Sequence, residues 1–310
     1  MQHRFPHPSH QLIHTVLKTQ LKMTAPIGVK TYLRKKQMDT GFQIMVEKGV
    51  FNNGIPYVRF GEGKKTLFVF TGGPGNVLPS GFMIRVFGHF KHLSKSYTIY
   101  AMSRKSRLPA DYTTRDMAED YATVIRDEFN GEAQDLMGTS YGGLIAQHLA
   151  ADHPELIRRL VIAMSVYRFS EEGNEVDMKS AQLLSEGKTR EALKALYPIL
   201  EGGRIKKAFL KFFMGYIAPL MWSTPDNPSD LLVEGKAEMA HNTKTRLSEI
   251  KVPTLVIGGD KDYYCPVEKL RETAAGIPNA KLVLYKGKGH MGTMGKKFDE
   301  DIFEFLNEPI

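Results

Sequence analysis

The chain has 310 residues, 42% of them hydrophobic, which allows one large α/β domain with an insertion or two small domains. Its one cysteine, Cys265, excludes an intramolecular disulfide and fits a reducing, cytoplasmic setting; the longest apolar stretch, near Phe212–Trp222, falls well short of the roughly 18 residues of a membrane span, so no integral membrane association is expected. Of the net charge of +8, +6 lies in residues 1–40, so the rest of the chain lacks the basic surface that nucleic acid requires.

Residues 1–38 hold no Asp or Glu and include His3, His7, His10 and His14. They read as a disordered tail or as residues upstream of a later start at Met23 or Met38, with a transit peptide as the alternative. From Gly41 the pattern becomes regular. Phe42–Val50 and Ile55–Phe60 read as strands around the turn signal Asn52-Asn53-Gly54. Thr66–Phe70 is a short apolar run ending in Thr71-Gly72-Gly73-Pro74-Gly75. Helical spacing follows through Phe82, Ile84, Val86 and Phe90, and Tyr97–Met102 is another strand. Thr113 and Asp116 form a capping-box start for a helix with an apolar face from Met117 to Phe129.

Ala133–Met137 then reads as a buried strand leading into Gly138-Thr139-Ser140-Tyr141-Gly142. Leu144, Ile145, His148 and Leu149 recur at helical spacing beyond it. A strand, a G-x-S-x-G turn and a helix in that order expose a serine at a sharp bend. Leu160–Met164, Thr254–Ile257 and Lys281–Tyr285 are further strands, Phe298–Leu306 is a closing helix, and residues 167–248 carry only helical patterns. Strands alternating with helices predict a doubly wound, mostly parallel sheet interrupted by a helical insertion. The expected division is a tail over 1–40, a core over 41–166 and 249–310, and a helical cap over 167–248.

A serine hydroxyl needs a base, and the base needs an orienting carboxylate, in the chain order Ser, Asp, His. The loop after Thr254–Gly259 offers Asp260 and Asp262; Asp262 lies deeper and is the catalytic choice, with Asp260 structuring the loop. His290 follows the next strand and is the expected base. His148 reads as a packing residue, and His89, His92, His153 and His241 as surface residues. Acyl transfer also needs donors for an oxyanion. The Tyr141 amide and an amide of the Thr71–Gly75 loop, Gly73 before Gly72, are the expected pair.

These segments together resemble the α/β-hydrolase fold superfamily over about residues 41–310. The resemblance rests on Phe70–Gly75, Gly138–Gly143, Ile145–Ala150 with His153-Pro154-Glu155, Gly259–Pro266 and Gly289-His290. It implies an eight-stranded sheet with a helical cap between strands six and seven. It also implies a triad of Ser140, Asp262 and His290, with no cofactor and no metal. Many relatives carry Asp-x-Arg-Gly-x-Gly-x-Ser after the fourth strand, where this chain has Ser103-Arg104-Lys105-Ser106-Arg107-Leu108-Pro109. The Gly-Gly-Pro-Gly turn is similar to that of proline iminopeptidases, although Thr71 and Tyr141 replace their usual His and Trp. The elbow is closer to the enol-lactonase and small-ester hydrolase branch.

The expected activity is therefore hydrolysis of a small or medium carboxylic ester or lactone. An aminopeptidase or amide hydrolase is the alternative, using cap acids among Glu201, Glu234 and Glu238, and a ligand receptor on the same fold is a third reading. Over Arg204–Trp222 an apolar stripe interleaves with Lys206, Lys207 and Lys211. It predicts a helix packed over the sheet, with Phe209, Phe213 and Tyr216 lining an acyl pocket. A membrane-surface role is the lesser alternative.

Overall fold

The computed structural model describes residues 45–73, 75, 78, 90, 92–200, 202–218 and 227–309. The basic tail, the start of the first strand, the spacing over Phe82–Val86, His89, Pro74, Glu201, Leu220 and Trp222 lie outside these residues.

Short apolar runs bounded by turns become the strands. β1 (Glu47–Val50) and β2 (Pro56–Phe60) form an antiparallel hairpin, with Glu47 opposite Arg59 and Val50 opposite Pro56. The remaining strands are β3 (Lys65–Phe70), β4 (Tyr97–Met102), β5 (Gln134–Thr139), β6 (Ile157–Ala163), β7 (Thr254–Gly259) and β8 (Ala280–Tyr285). They form one eight-stranded sheet in the order β1-β2-β4-β3-β5-β6-β7-β8, parallel from β4 to β8. Consecutive buried residues such as Leu67–Phe70 reflect burial on both faces, as parallel sheets require.

Alternation along these strands builds two cores. Phe68, Phe70, Leu136, Ile162 and Val256 face one way, onto α1 (Thr114–Glu128) and α2 (Tyr141–Asp152). Leu67, Val69, Met137, Val161, Leu255 and Ile257 belong to the other core, with Phe298, Ile302 and Leu306 of the C-terminal helix. Phe70 stacks on Tyr121 of α1 with centroids 3.8 Å apart. Thr113 and Asp116 close the expected capping box on α1, a device worth about 1 kcal/mol.

Between β6 and β7 lie α3 (Glu171–Ser185), α4 (Thr189–Ala195), α5 (Arg204–Phe212) and α6 (Asp230–Ala240). Helix α3 packs on α4 and α6 around Ala181, Leu184, Ala192 and Leu231. After β7 come α7 (Val267–Gly276) and, past β8, α8 (Lys296–Asn307).

The aromatic stripe differs from its expected packing. Helix α5 continues into a π-helical turn over Phe213–Ile217, and Ile205, Phe209, Phe212, Phe213, Tyr216 and Ile217 all stay exposed. Helix α5 itself has no buried residue; the π-helical extension packs on α4, with Gly215 buried and Leu210 and Met214 half-buried. His241 also departs from its surface assignment. It is buried, with Nδ1 2.9 Å from Thr114 Oγ1 and its ring edge-on to His148. His153 is half-buried against Glu119.

The strand order fixes where a ligand would sit. From β3 the chain crosses to β4 on one side and then returns to β5 on the other. Open α/β sheets bind ligands at such a switch point, beyond the carboxyl ends of the strands. The loops after β3 and β5 meet there, and they carry Gly72-Gly73 and Ser140.

Candidate active site

Ser140 occupies the turn between β5 and α2 with φ 52° and ψ −120°, a conformation that costs a non-glycine residue on the order of 1–3 kcal/mol. The surroundings hold it there. Ser140 N donates to Ala163 O on β6, and Gly143 N donates to Ser140 O. Gly142 lets α2 press onto β3, since a Cβ at that position would lie 2.1 Å from Phe70 O. The neighbouring loop is equally close: a Cβ on Gly72 would sit 2.9 Å from the Ser140 Cβ.

His290 arrives on the loop after β8. Its Nε2 lies 2.9 Å from Ser140 Oγ and its Nδ1 lies 2.8 Å from Asp262 Oδ2. Asp262, on the loop after β7, has a fully buried carboxylate whose Oδ1 accepts the backbone N–H groups of Tyr264 and Cys265 at 2.9 and 3.1 Å. With three donors on it, the carboxylate is fixed, and it fixes the imidazole in turn. Asp260 does what its position suggested: its Oδ1 accepts Gly287 N at 2.6 Å and ties the two loops together. A residue chain in this geometry leaves Nε2 free to take the serine proton while Nδ1–H stays on the carboxylate.

Asp262, Cys265 and His290 also bring one oxygen, one sulfur and one nitrogen within 4.8 Å of one another. Metal ligation is poorly served here. Burial first, and then the Asp262 charge, push the Cys265 thiol well above its ordinary range, so it stays protonated.

The other side of Ser140 holds a group that sequence reasoning passed over. Arg104 follows β4 and is 1% exposed. Its guanidinium pairs with Glu234 of α6 at 2.9 and 3.2 Å. It also donates to the carbonyls of Thr71, Gly73 and Gly75 at 2.9, 2.6 and 2.5 Å. Glu234 Oε2 accepts Gly75 N at 2.7 Å. The ion pair thus turns three carbonyls of the loop toward Arg104. Gly73 (φ 78°) keeps its own N–H without a partner among the described residues. Burial alone would lower the Arg104 pKa, but Glu234 overrides it and raises it. Tyr141 lies under this guanidinium, 5.0 Å from its ring centroid, and its hydroxyl donates to Glu234 O at 3.0 Å. The available signal was an arginine at a strand end and a glutamate inside the apolar run Leu231–Gly235.

Two further carboxylates come from the helices between β6 and β7, and one of them, Asp177, lies within electrostatic reach of His290. Asp177 of α3 accepts the Tyr264 hydroxyl at 2.6 Å, and the Tyr264 ring lies 4.9 Å from the His290 ring. Burial raises the Asp177 carboxyl to about 6. Glu238 of α6 is buried with Oε1 unpartnered among the described residues; burial, and then Asp177 and Glu234, raise its pKa well above the ordinary range.

Phe209, Phe213 and Tyr216 are not brought to Ser140. They remain on the exposed side of α5 and its extension, where Tyr216 stacks on Phe212 at 5.2 Å and lies under Arg190 at 5.6 Å. A cleft of about 330 Å³ does open nearby, between Ile199, Leu200 and Lys207 on one side and Tyr263, Gly287 and Gly289 on the other. It reaches the residue before His290, and Ser140 is not among its walls.

Fold and site together define an α/β protein with Ser140, His290 and Asp262 aligned at the ends of its strands, and comparison with known proteins gives the family. Residues 66–296 match the model of the alpha/beta hydrolase fold, and the chain belongs to that family. A protein of Methanothermobacter thermautotrophicus named "Probable acyltransferase" is 25% identical over 300 residues, covering 86% of this chain and 89% of its own. Among solved structures, an alpha/beta hydrolase enzyme from a Medee basin deep-sea metagenome library superimposes with TM-score 0.69 at 20% identity, covering 86% of this chain and 98% of that one. The enol-lactonase of Burkholderia xenovorans does so with TM-score 0.63 at 19% identity, covering 82% and 96%. The family match supports hydrolase activity. No helix among the described residues is long and apolar enough to cross a membrane.

Proposed function

We propose that this protein is a cofactor-independent serine hydrolase that cleaves a small or medium carboxylic ester or lactone through an acyl-enzyme on Ser140. The single observation that carries the reading is the unbroken chain Ser140 Oγ–His290 Nε2 and His290 Nδ1–Asp262 Oδ2, at 2.9 and 2.8 Å. His290 takes the hydroxyl proton as Ser140 Oγ attacks the carbonyl carbon. The amides of Gly73 and Tyr141 receive the oxyanion. His290 then protonates the departing alcohol, and water, deprotonated by the same imidazole, releases the acid and restores Ser140. Asp262 holds the Nδ1–H tautomer and stabilises the imidazolium. The partner of this site is a small molecule, and the helices between β6 and β7 act as its cap over a core of residues 41–166 and 249–310. The enol-lactonase neighbour supports the ester or lactone class. The relative named as an acyltransferase supports the acyl-enzyme, from which an acceptor other than water could also collect the acyl group.

An amide-hydrolase reading, with a substrate carrying a free amine, has one observation in its favour. Asp177, within electrostatic reach of His290, and Glu238, within reach of Asp177, are acidic side chains, and neither pairs with a basic residue among the described residues. Glu234, by contrast, is taken up by Arg104.

Labelling by a fluorophosphonate probe tests the nucleophile. Wild type should be labelled and Ser140→Ala should not; equal labelling of both would remove Ser140 from the reaction. Paired assays with an ester series and an N-terminal prolyl amide then separate the two substrate classes.

A further inference from the structure

We propose that the exposed face of α5 and its π-helical extension docks the protein on the surface of an anionic lipid bilayer. Six apolar side chains share that face: Ile205 (88% exposed), Phe209 (65%), Phe212 (57%), Phe213 (37%), Tyr216 (54%) and Ile217 (38%). Their spacing of four, three, one, three and one residues keeps them on one side of a helix. Water contact on so much aliphatic and aromatic surface is unfavourable, and contiguous patches of this kind mark interaction sites.

Charge selects the occupant. Lys206 borders the face, Arg204, Lys207 and Lys211 are exposed on the opposite side of the same helix, and no Asp or Glu occurs between Gly202 and Trp222. Among the described residues no carboxylate pairs with any of the four. A second copy of the chain seated here would bring basic groups against basic groups. Residues 1–40, at +6, are a like-charged occupant too. An anionic bilayer offers hydrocarbon to the six apolar side chains and negative headgroups to the four basic ones. An amphipathic helix with this division lies in the interface plane, and a tyrosine suits the headgroup level.

Lys207 and Gly202, neighbours of the face along the chain, also wall the cleft that reaches Gly289, the residue before His290. The inference does not depend on the proposed chemistry, and Ser140→Ala should dock as wild type does.

Co-sedimentation of the full chain with vesicles provides the test, using phosphatidylcholine alone and phosphatidylcholine mixed with phosphatidylserine. Sedimentation with the mixed vesicles, weakened by salt and by omission of phosphatidylserine, is expected. Ile205→Ser with Phe212→Ser should abolish it, with circular dichroism unchanged because both side chains are exposed. Arg204→Gln with Lys206→Gln should weaken it about thirtyfold. Equal binding to both vesicle types, no binding, or binding untouched by the Ile205→Ser/Phe212→Ser pair would overturn the proposal. So would a concentration-dependent dimer by size-exclusion chromatography that this pair dissolves, because a second copy would then cover the face.

Discussion

Two buried charge networks flank Ser140, and they differ in what their charges are free to do. On one side Asp262 holds Nδ1 of His290, whose Nε2 faces the Ser140 hydroxyl. On the other side Glu234 holds Arg104, a guanidinium that stays charged throughout. The first network suits moving a proton. The second suits holding a shape: its donors go to Thr71, Gly73 and Gly75 carbonyls and to a carboxylate of α6. The contrast teaches that being buried and charged beside the proposed nucleophile does not make a group a proton carrier.

Substitutions can break this contrast. The largest effect is expected from Asp262→Asn, which should lower kcat about 10⁴-fold by upsetting the imidazole tautomer while leaving the fold in place. Steady-state kinetics and thermal unfolding check it, and a loss below tenfold would place His290 outside the chemistry. Glu234→Gln should reverse the proportions. It leaves the Arg104 charge buried without its counter-charge, at a cost of about 3–5 kcal/mol. Its effect on kcat should be about 10²-fold, through displacement of the Gly73 amide. Urea unfolding and kinetics on the same sample read both. Arg104→Met combined with Glu234→Met should regain part of the stability and none of the activity.

A smaller effect comes from a pair of imidazoles, His148 and His241, which lack a carboxylate partner of the His290 kind. Burial first, and then Arg246, lower the His148 pKa to about 4. Arg246 donates to His148 Nδ1 at 3.2 Å, which requires the neutral ring. His241 is lowered by burial and by His148. The unfolded chain binds a proton at His148 below about 6.5, whereas the folded chain refuses it until about 4. Stability should therefore fall as pH drops from about 6.5 to about 4, by on the order of 3 kcal/mol for His148. Chemical denaturation across this range, with His148→Gln flattening the slope, measures it. An unchanged slope would mean that the ring titrates alike in both states.

What could be read from the sequence was local. The elbow shows in glycine spacing around Ser140, and β3, β5 and β7 show in apolar runs. The positions of Asp262 and His290 follow from strands that end just before them. The Arg104–Glu234 pair joins residues 130 positions apart, and nothing near either one announces the other. Periodicity marked the stripe from Ile205 to Ile217 but could not say which way it faces, because amphipathicity records a division of the surface and not its partner. His241 was misread for a related reason: an isolated histidine in a polar stretch carries no sign that Thr114, on a distant helix, will bury it.

Glu234 sits on a helix between β6 and β7, yet its counter-ion lies in the loop just past β4. That limits how freely the helical segment can be exchanged for one from another hydrolase. A chimaera built at the β6 and β7 junctions would import new specificity together with an orphaned guanidinium under the Thr71–Gly75 loop. To preserve turnover, the transplant must supply an acid at the position of residue 234 or remodel the turn beyond β3 at the same time.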